Sequence, residues 1–215
     1  MSDHITGRQF EEASGVEDWR ALWGGGFACT YFETGSFGTG VELVRAINEL
    51  PAAANHHVDV DLRSEGVTVR VFTYEPGGLS SEDVELARQI SARATRVGVR
   101  AVPSIVRQVQ VNIDALDIPK LQPFWAAVLG YDPVGDEDVF DPIRVGPPFT
   151  FQQMDAPRPQ RNRIHIDIYV PRDQVEARIA AALAAGGHMV NDTHAPNWWT
   201  LADAEGNEVD LAIWG

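Results

Sequence analysis

The chain has 215 residues, 44% of them apolar and 22% charged, globular proportions with enough material for one large domain or two of about 100 residues each. Its formal net charge of −14, uninterrupted by any basic cluster, excludes the electrostatic footprint of a nucleic-acid or anionic-membrane binder and points to small-molecule partners. The single cysteine, Cys29, cannot form an internal disulfide, and no apolar run has the length of a membrane span or follows a basic leader, so a cytoplasmic location is expected.

From Ile5 to about Val97 the expected order is helix, strand, helix, strand, strand, helix, an α+β grammar. "GVELVRAINEL" sets Val41, Leu43, Val44, Ile47 and Leu50 near one helical face, and "VTVRVFTY" alternates Val67, Val69 and Val71 with Thr68, Arg70 and Phe72 as a half-buried strand does. "LSSEDVELARQISARA" predicts a helix capped by Ser80, with Asp83 at the third helical position as a variant capping box and Val84, Ala87, Ile90 and Ala94 facing inward. Between these elements His56 and His57 stand side by side at the entrance to a strand. Such a pair serves as acid and base, as metal ligands, or as plain surface residues, and an unperturbed imidazole pKa near ~6.5 suits proton transfer at neutral pH. Neighbours on a regular strand point to opposite faces, so both rings reach one ligand only if the chain bends at the entrance, where Asn55 stands.

Gly98 and Pro103 punctuate "GVRAVPSIV", and a new alternation starts in "RQVQVNID". The reading is therefore two domains, residues 1–101 and 102–215. The second half repeats itself faintly. Val109, Val111 and Ile113 alternate with Gln110, Asn112 and Asp114, and Ile164, Ile166 and Ile168 alternate with His165, Asp167 and Tyr169. Each strand precedes a helix expected to end at glycine, "IPKLQPFWAAVLG" and "RDQVEARIAAALAAGG", and short strands follow, giving β-α-β-β-β twice. In "HAPNWWTL" one of Trp198 and Trp199 is expected to stack on a planar ligand while the other packs.

With "FACTYFETGSF" and "NHHVDV" followed by "GGLSSED", the first half resembles the pterin-4a-carbinolamine dehydratase family over nearly its whole length. The resemblance implies an antiparallel sheet with helices on one face, and removal of water from 4a-hydroxytetrahydropterin to give the quinonoid dihydropterin. By that resemblance His56 and His57 fall on the family's adjacent catalytic histidines and Asp83 on its acidic residue. The candidate substrate contacts are Asn55, Asp59 and Tyr74 in this half and Trp199 in the other. Tyr74 stands where the family commonly has a third histidine, and Ala52, Val58 and Ser64 also depart from its motif.

Residues 107–214 resemble the vicinal-oxygen-chelate superfamily, in particular small glyoxalase-like domains, through "LDIPKLQPFWAAVLGYDP", "NRIHIDIYV" and "LADAEGNEVDLAIW". This resemblance implies paired βαβββ modules forming a cleft that often holds a divalent metal, with ligand places on Gln110, Gln152, His165 and Asp210. Two glutamines are weak donors for a tight site. Both resemblances imply a homodimer. The expected function is pterin carbinolamine dehydration by a His56–His57 acid/base pair, with a small-ligand domain attached. Two alternatives stand beside it: a metal-dependent lyase, isomerase or dioxygenase in the second half, and a non-catalytic binder of pterins or other small molecules.

Overall fold

A computed structural model describes residues 4–22, 26–50, 56–73, 78–157, 166–170 and 172–213. The chain divides into two compact units, Met1–Gln108 and Val109–Gly215. No helix among the described residues is long and apolar enough to cross a membrane.

In the first unit an antiparallel sheet runs in the order β2 (Arg20–Leu22), β3 (Phe27–Glu33), β5 (Gly66–Phe72), β4 (His57–Leu62), which leaves β4 at an edge. A short β7 (Arg100–Ala101) also pairs with β3. Among the described residues three helices accompany the sheet: α1 (Gly7–Glu11), α2 (Phe37–Asn48) and α3 (Ser81–Val97). Val67, Val69 and Val71 of β5 are fully buried with Ala28 and Phe32 of β3, Leu43 and Ile47 of α2, and Val84, Ala87, Ile90 and Ala94 of α3. The valine alternation and the inward stripe of α3 are thus one interface, in which each fully buried aliphatic side chain contributes about 1.5–3 kcal/mol. α3 begins with the capping box of Ser80 and Asp83 and ends at Gly98, whose φ of 82° is the left-handed cap that a residue with Cβ resists.

The other face of the sheet is not simply solvated. Phe27, Cys29 and Phe72 form a small buried cluster there, with Leu22 and Val106 packed against it. Val106 follows a single 3-10 turn, Pro103–Ile105, and Val102 N–H donates to Tyr31 C=O at 2.7 Å, so this segment lies along β3. Beyond the expected elements the unit contains β1 (His4–Ile5), paired with β6 (Leu79–Ser80), and β2. Strands of two or three residues are too short to show any alternation in sequence.

The second unit follows the repeated order. β8 (Val111–Ala115), α4 (Ile118–Leu129), β9 (Asp132–Val134), β10 (Asp138–Phe140) and β11 (Phe149–Gln153) give a sheet ordered β8-β11-β10-β9. β12 (Ile166–Tyr169), α5 (Val175–Ala184), β13 (His188–Asn191), β14 (Trp198–Ala202) and β15 (Glu208–Ala212) give the matching order β12-β15-β14-β13. In both modules the first strand is parallel to the last. α4 ends at Gly130 as expected. α5 instead has Ala185 as its cap residue and closes one step later, with Gly186 at φ 97° and Gly187 N–H bonded to Ala182 C=O.

One core joins the two modules, with Ile113, Phe124, Trp125, Phe149 and Phe151 from the first and Ala182, Leu201, Val209 and Leu211 from the second. The β14–β15 turn fastens them. Buried Asp203 accepts the Trp125 indole N–H at 3.0 Å, the backbone N–H groups of Glu205 and Asn207 at 2.9 Å, and the Asn207 amide at 2.7 Å. Glu205 in turn accepts the backbone N–H groups of Leu116 and Asp117, just before α4. Asp203→Ala strands a buried indole donor and two turn amides, so urea unfolding is expected to show a loss of about 3 kcal/mol. A midpoint unchanged from wild type would show that this turn is not the fastening.

Candidate active site

The sequence around Asp83 does two things at once. At the third position of α3 its carboxylate reaches back over the first turn, and Oδ2 accepts Ser80 N–H at 2.7 Å, Ser80 Oγ–H at 3.0 Å and Thr73 Oγ–H at 3.0 Å. Oδ1 is left for His56, whose Nε2 lies 2.5 Å away. Asp83 is fully buried and the His56 side chain is 8% exposed, so this pair sits out of bulk water. A carboxylate only accepts, so the ring nitrogen facing it carries the hydrogen. Nε2 of His56 is thereby fixed as the donor and Nδ1 becomes the nitrogen able to exchange a proton. Glu82 Oε2 stands 4.0 Å from Nδ1, on a side chain 67% exposed.

His57 takes the other side. It is the first residue of β4, in register with Phe72 of β5, and its exposed ring stacks on the Phe72 ring with centroids 5.9 Å apart and planes 22° apart. Phe72 belongs to the cluster on the face away from the helices, whereas Asp83 and Thr73 engage His56 on the helix side. The two imidazoles therefore leave the backbone on opposite sides of the sheet, as strand alternation requires. Asp59, two residues along β4, lies on the His57 side in register with Arg70, whose guanidinium stands 5.4 Å from the Phe27 ring centroid. Asn55, Tyr74 and Ala52 lie outside the described residues.

Four members of this site were not named from the sequence as functional. Thr73 continues the buried valine face, where a hydroxyl needs a partner, and that signal was readable. Ser80 was read only as a cap. Glu82 and Phe72 come to the histidines through tertiary structure alone, with no local signal.

In the second unit the core face of β8 carries Val111, Ile113 and Ala115, which puts Gln110, Asn112 and Asp114 on the polar face. Gln110 donates its amide to Asn112 Oδ1 at 2.9 Å, exposed Gln152 is on β11, and Asp210 of β15 accepts the Thr200 hydroxyl at 2.6 Å. His165 lies outside the described residues. Among the described residues no three His, Cys, Asp or Glu side chains gather as metal ligands. The described members of that set, two amides and a carboxylate already holding a hydroxyl, are by themselves weak donors for a divalent metal. Trp199 packs against the core, whereas Trp198 faces the polar side and stacks on His194 at 4.1 Å. Strand alternation thus puts Trp199 on the core side of β14 and Trp198 on its polar side.

Cys29 lies under the sheet's far face at 3% exposure, and burial pushes its thiol up to about 11 although Arg70 opposes this. At pH 7.5 the group is a protonated, shielded thiol. Iodoacetamide is expected to leave the native protein unlabelled over an hour and to label it fully in 6 M guanidinium, read by intact mass; rapid native labelling would contradict the burial.

Comparison with known proteins follows the two-unit division. Residues 3–93 match the family described as pterin 4 alpha carbinolamine dehydratase, and residues 110–212 match the glyoxalase-like domain family. A protein of Nocardia farcinica (strain IFM 10152), provisionally named a pterin-4-alpha-carbinolamine dehydratase, is 41% identical over 59 residues, 27% of this chain and 62% of that protein. The match thus spans less than two thirds of that relative. Among solved structures, a transcriptional coactivator/pterin dehydratase from Brucella Melitensis is 20% identical with a TM-score of 0.39, covering 43% of this chain and 99% of its own. A glyoxalase-related enzyme from Fulvimarina pelagi is 18% identical with a TM-score of 0.41, covering 51% and 89%.

Proposed function

We propose that this chain, a pterin-4a-carbinolamine dehydratase domain followed by a glyoxalase-like domain, dehydrates a 4a-hydroxytetrahydropterin in its first unit and binds a small molecule in its second. The observation that supports this most is the Asp83–His56 pair. Loss of water from the carbinolamine breaks the C4a–O bond. The departing hydroxide needs a proton, a ring N–H must give one up, and the electron pair left on nitrogen forms the new C=N bond. A histidine oriented through one nitrogen by a buried carboxylate presents the other to such a substrate in a fixed tautomer.

His57 supplies the second proton-transfer group in this reading. Because the two rings leave β4 on opposite sides, the substrate sits across the end of this edge strand, where a bicyclic ring system reaches one imidazole over each side. Asp59 and Phe72 then border the ligand on the His57 side. Trp198 and the polar strand faces of the glyoxalase-like unit offer a second, separate small-molecule site. The exposed edge of β4 also supports a homodimer by strand pairing, and the protein is read as cytoplasmic.

The experiment is the appearance of quinonoid dihydropterin from freshly generated 4a-carbinolamine. Wild-type protein is expected to accelerate it over buffer, and His56→Ala to remove on the order of 100-fold of that acceleration. His57→Ala is expected to lower kcat as well. Wild-type turnover no faster than buffer defeats the dehydratase reading; a pterin-induced rise in Tm without turnover would leave a binder in its place.

A further inference from the structure

We propose that Glu82 is the proton relay between Nδ1 of His56 and solvent, an assignment that rests on the dehydratase reading above. The need for a relay follows from the proton balance of one turnover. The substrate loses hydroxide together with a proton from the acid, and loses its N–H proton to the base. The departing products are therefore neutral overall, while the acid ends one proton short and the base one proton over. The proton balance closes either by passing that proton between the two groups or through bulk water, and because the rings leave β4 on opposite sides the proposed route runs through water.

His57 is exposed and exchanges directly. His56 is not: its side chain is 8% exposed, and its Nε2 is committed to fully buried Asp83. Only Nδ1 can carry the reset. Among the described residues the carboxylates within 4.0 Å of the His56 ring nitrogens are Asp83 and Glu82, successive residues in the first turn of α3, with the Thr73 hydroxyl 3.4 Å from Nε2. Asp83 has no exposed surface from which to pass a proton outward. Glu82 has: its Oε2 stands 4.0 Å from Nδ1 and its side chain is 67% exposed. One bridging water or one rotation of the side chain closes that gap. A proton then passes from Nδ1–H to the carboxylate and from the carboxylic acid to buffer, or inward by the reverse route. The pair of consecutive acids thus divides its labour, the buried one fixing the ring and the exposed one connecting it.

The test uses the full chain and three variants, Glu82→Gln, Glu82→Ala and Glu82→Asp. In dilute buffer Glu82→Gln and Glu82→Ala are expected to lose on the order of ten-fold in kcat, part of the usual acid–base contribution, with KM unchanged. Raising the concentration of a small buffer such as imidazole restores them, and Glu82→Asp retains most activity. Loss that added buffer does not restore, or no loss at any buffer concentration, overturns the relay while leaving the dehydratase reading intact. A second measurement is independent of turnover. The His56 Cε1–H NMR line, followed across its titration in dilute buffer, is expected to be sharp in wild type and exchange-broadened in Glu82→Gln, sharpening again with added imidazole. If wild type does not dehydrate, the dehydratase reading falls, and equal line widths in the two proteins reject the proton path as well.

Discussion

A single buried carboxylate holds the start of α3 and the His56 ring together. Asp83 is at once the third residue of a helix and the base of a histidine. Its Oδ2 satisfies the Ser80 backbone amide and two hydroxyls, and its Oδ1 fixes the His56 ring. A helix N-terminus leaves backbone N–H groups without intrahelical partners and favours negative charge. The fold therefore needs an acidic or polar cap here whatever the chemistry. What is specific is that the cap also holds the ring, at 2.5 Å against 3.4 Å for the Thr73 hydroxyl, so the helix start and the imidazole cannot be displaced independently. In a buried network of this kind, where every member is satisfied, partial loss is more costly than the individual bonds suggest.

The second constraint is the alternation of β4. His57 is locked into the ladder opposite Phe72, so the neighbouring His56 is turned to the helix side by backbone geometry, not by any preference of its ring. One imidazole is enclosed with carboxylate and hydroxyls; the other lies on an aromatic surface. Two chemically identical residues thus acquire unlike surroundings from adjacent positions, which is how a protein gives one residue type two roles.

The sequence made much of this legible, and the reasons differ by element. Long regular elements announced themselves: the Val67–Val69–Val71 face, the inward stripe from Val84 to Ala94, and the doubled β-α-β-β-β order all depend on periodicity, which is local information. The capping role of Asp83 was equally local. Strands of two or three residues such as β1 and β6 were invisible, because pairing of His4 with Ser80 depends on two distant segments meeting. The same limit applies to the site. His56 and Asp83 were named separately, yet their contact, the hydroxyl of Thr73 and the approach of Glu82 belong to the packing of α3 against the strand ends. For Trp198 and Trp199 adjacency concealed which indole faces inward, a parity set by the register of β14 on β15.

The parallel closure of each module in the second unit bears on how the chain acquires its structure. Val111 finds its partner only when Phe149 arrives, and Ile166 only when Val209 does. The β4–β5 hairpin, by contrast, closes across the short turn between Leu62 and Gly66. Loop closure is an entropic cost that must be met before distant contacts reward it, and topologies rich in distant pairing assemble slowly. During synthesis the first unit can complete its sheet while the last strand of the glyoxalase-like unit is still unmade, so the half that bears His56 and His57 matures ahead of the half that follows it.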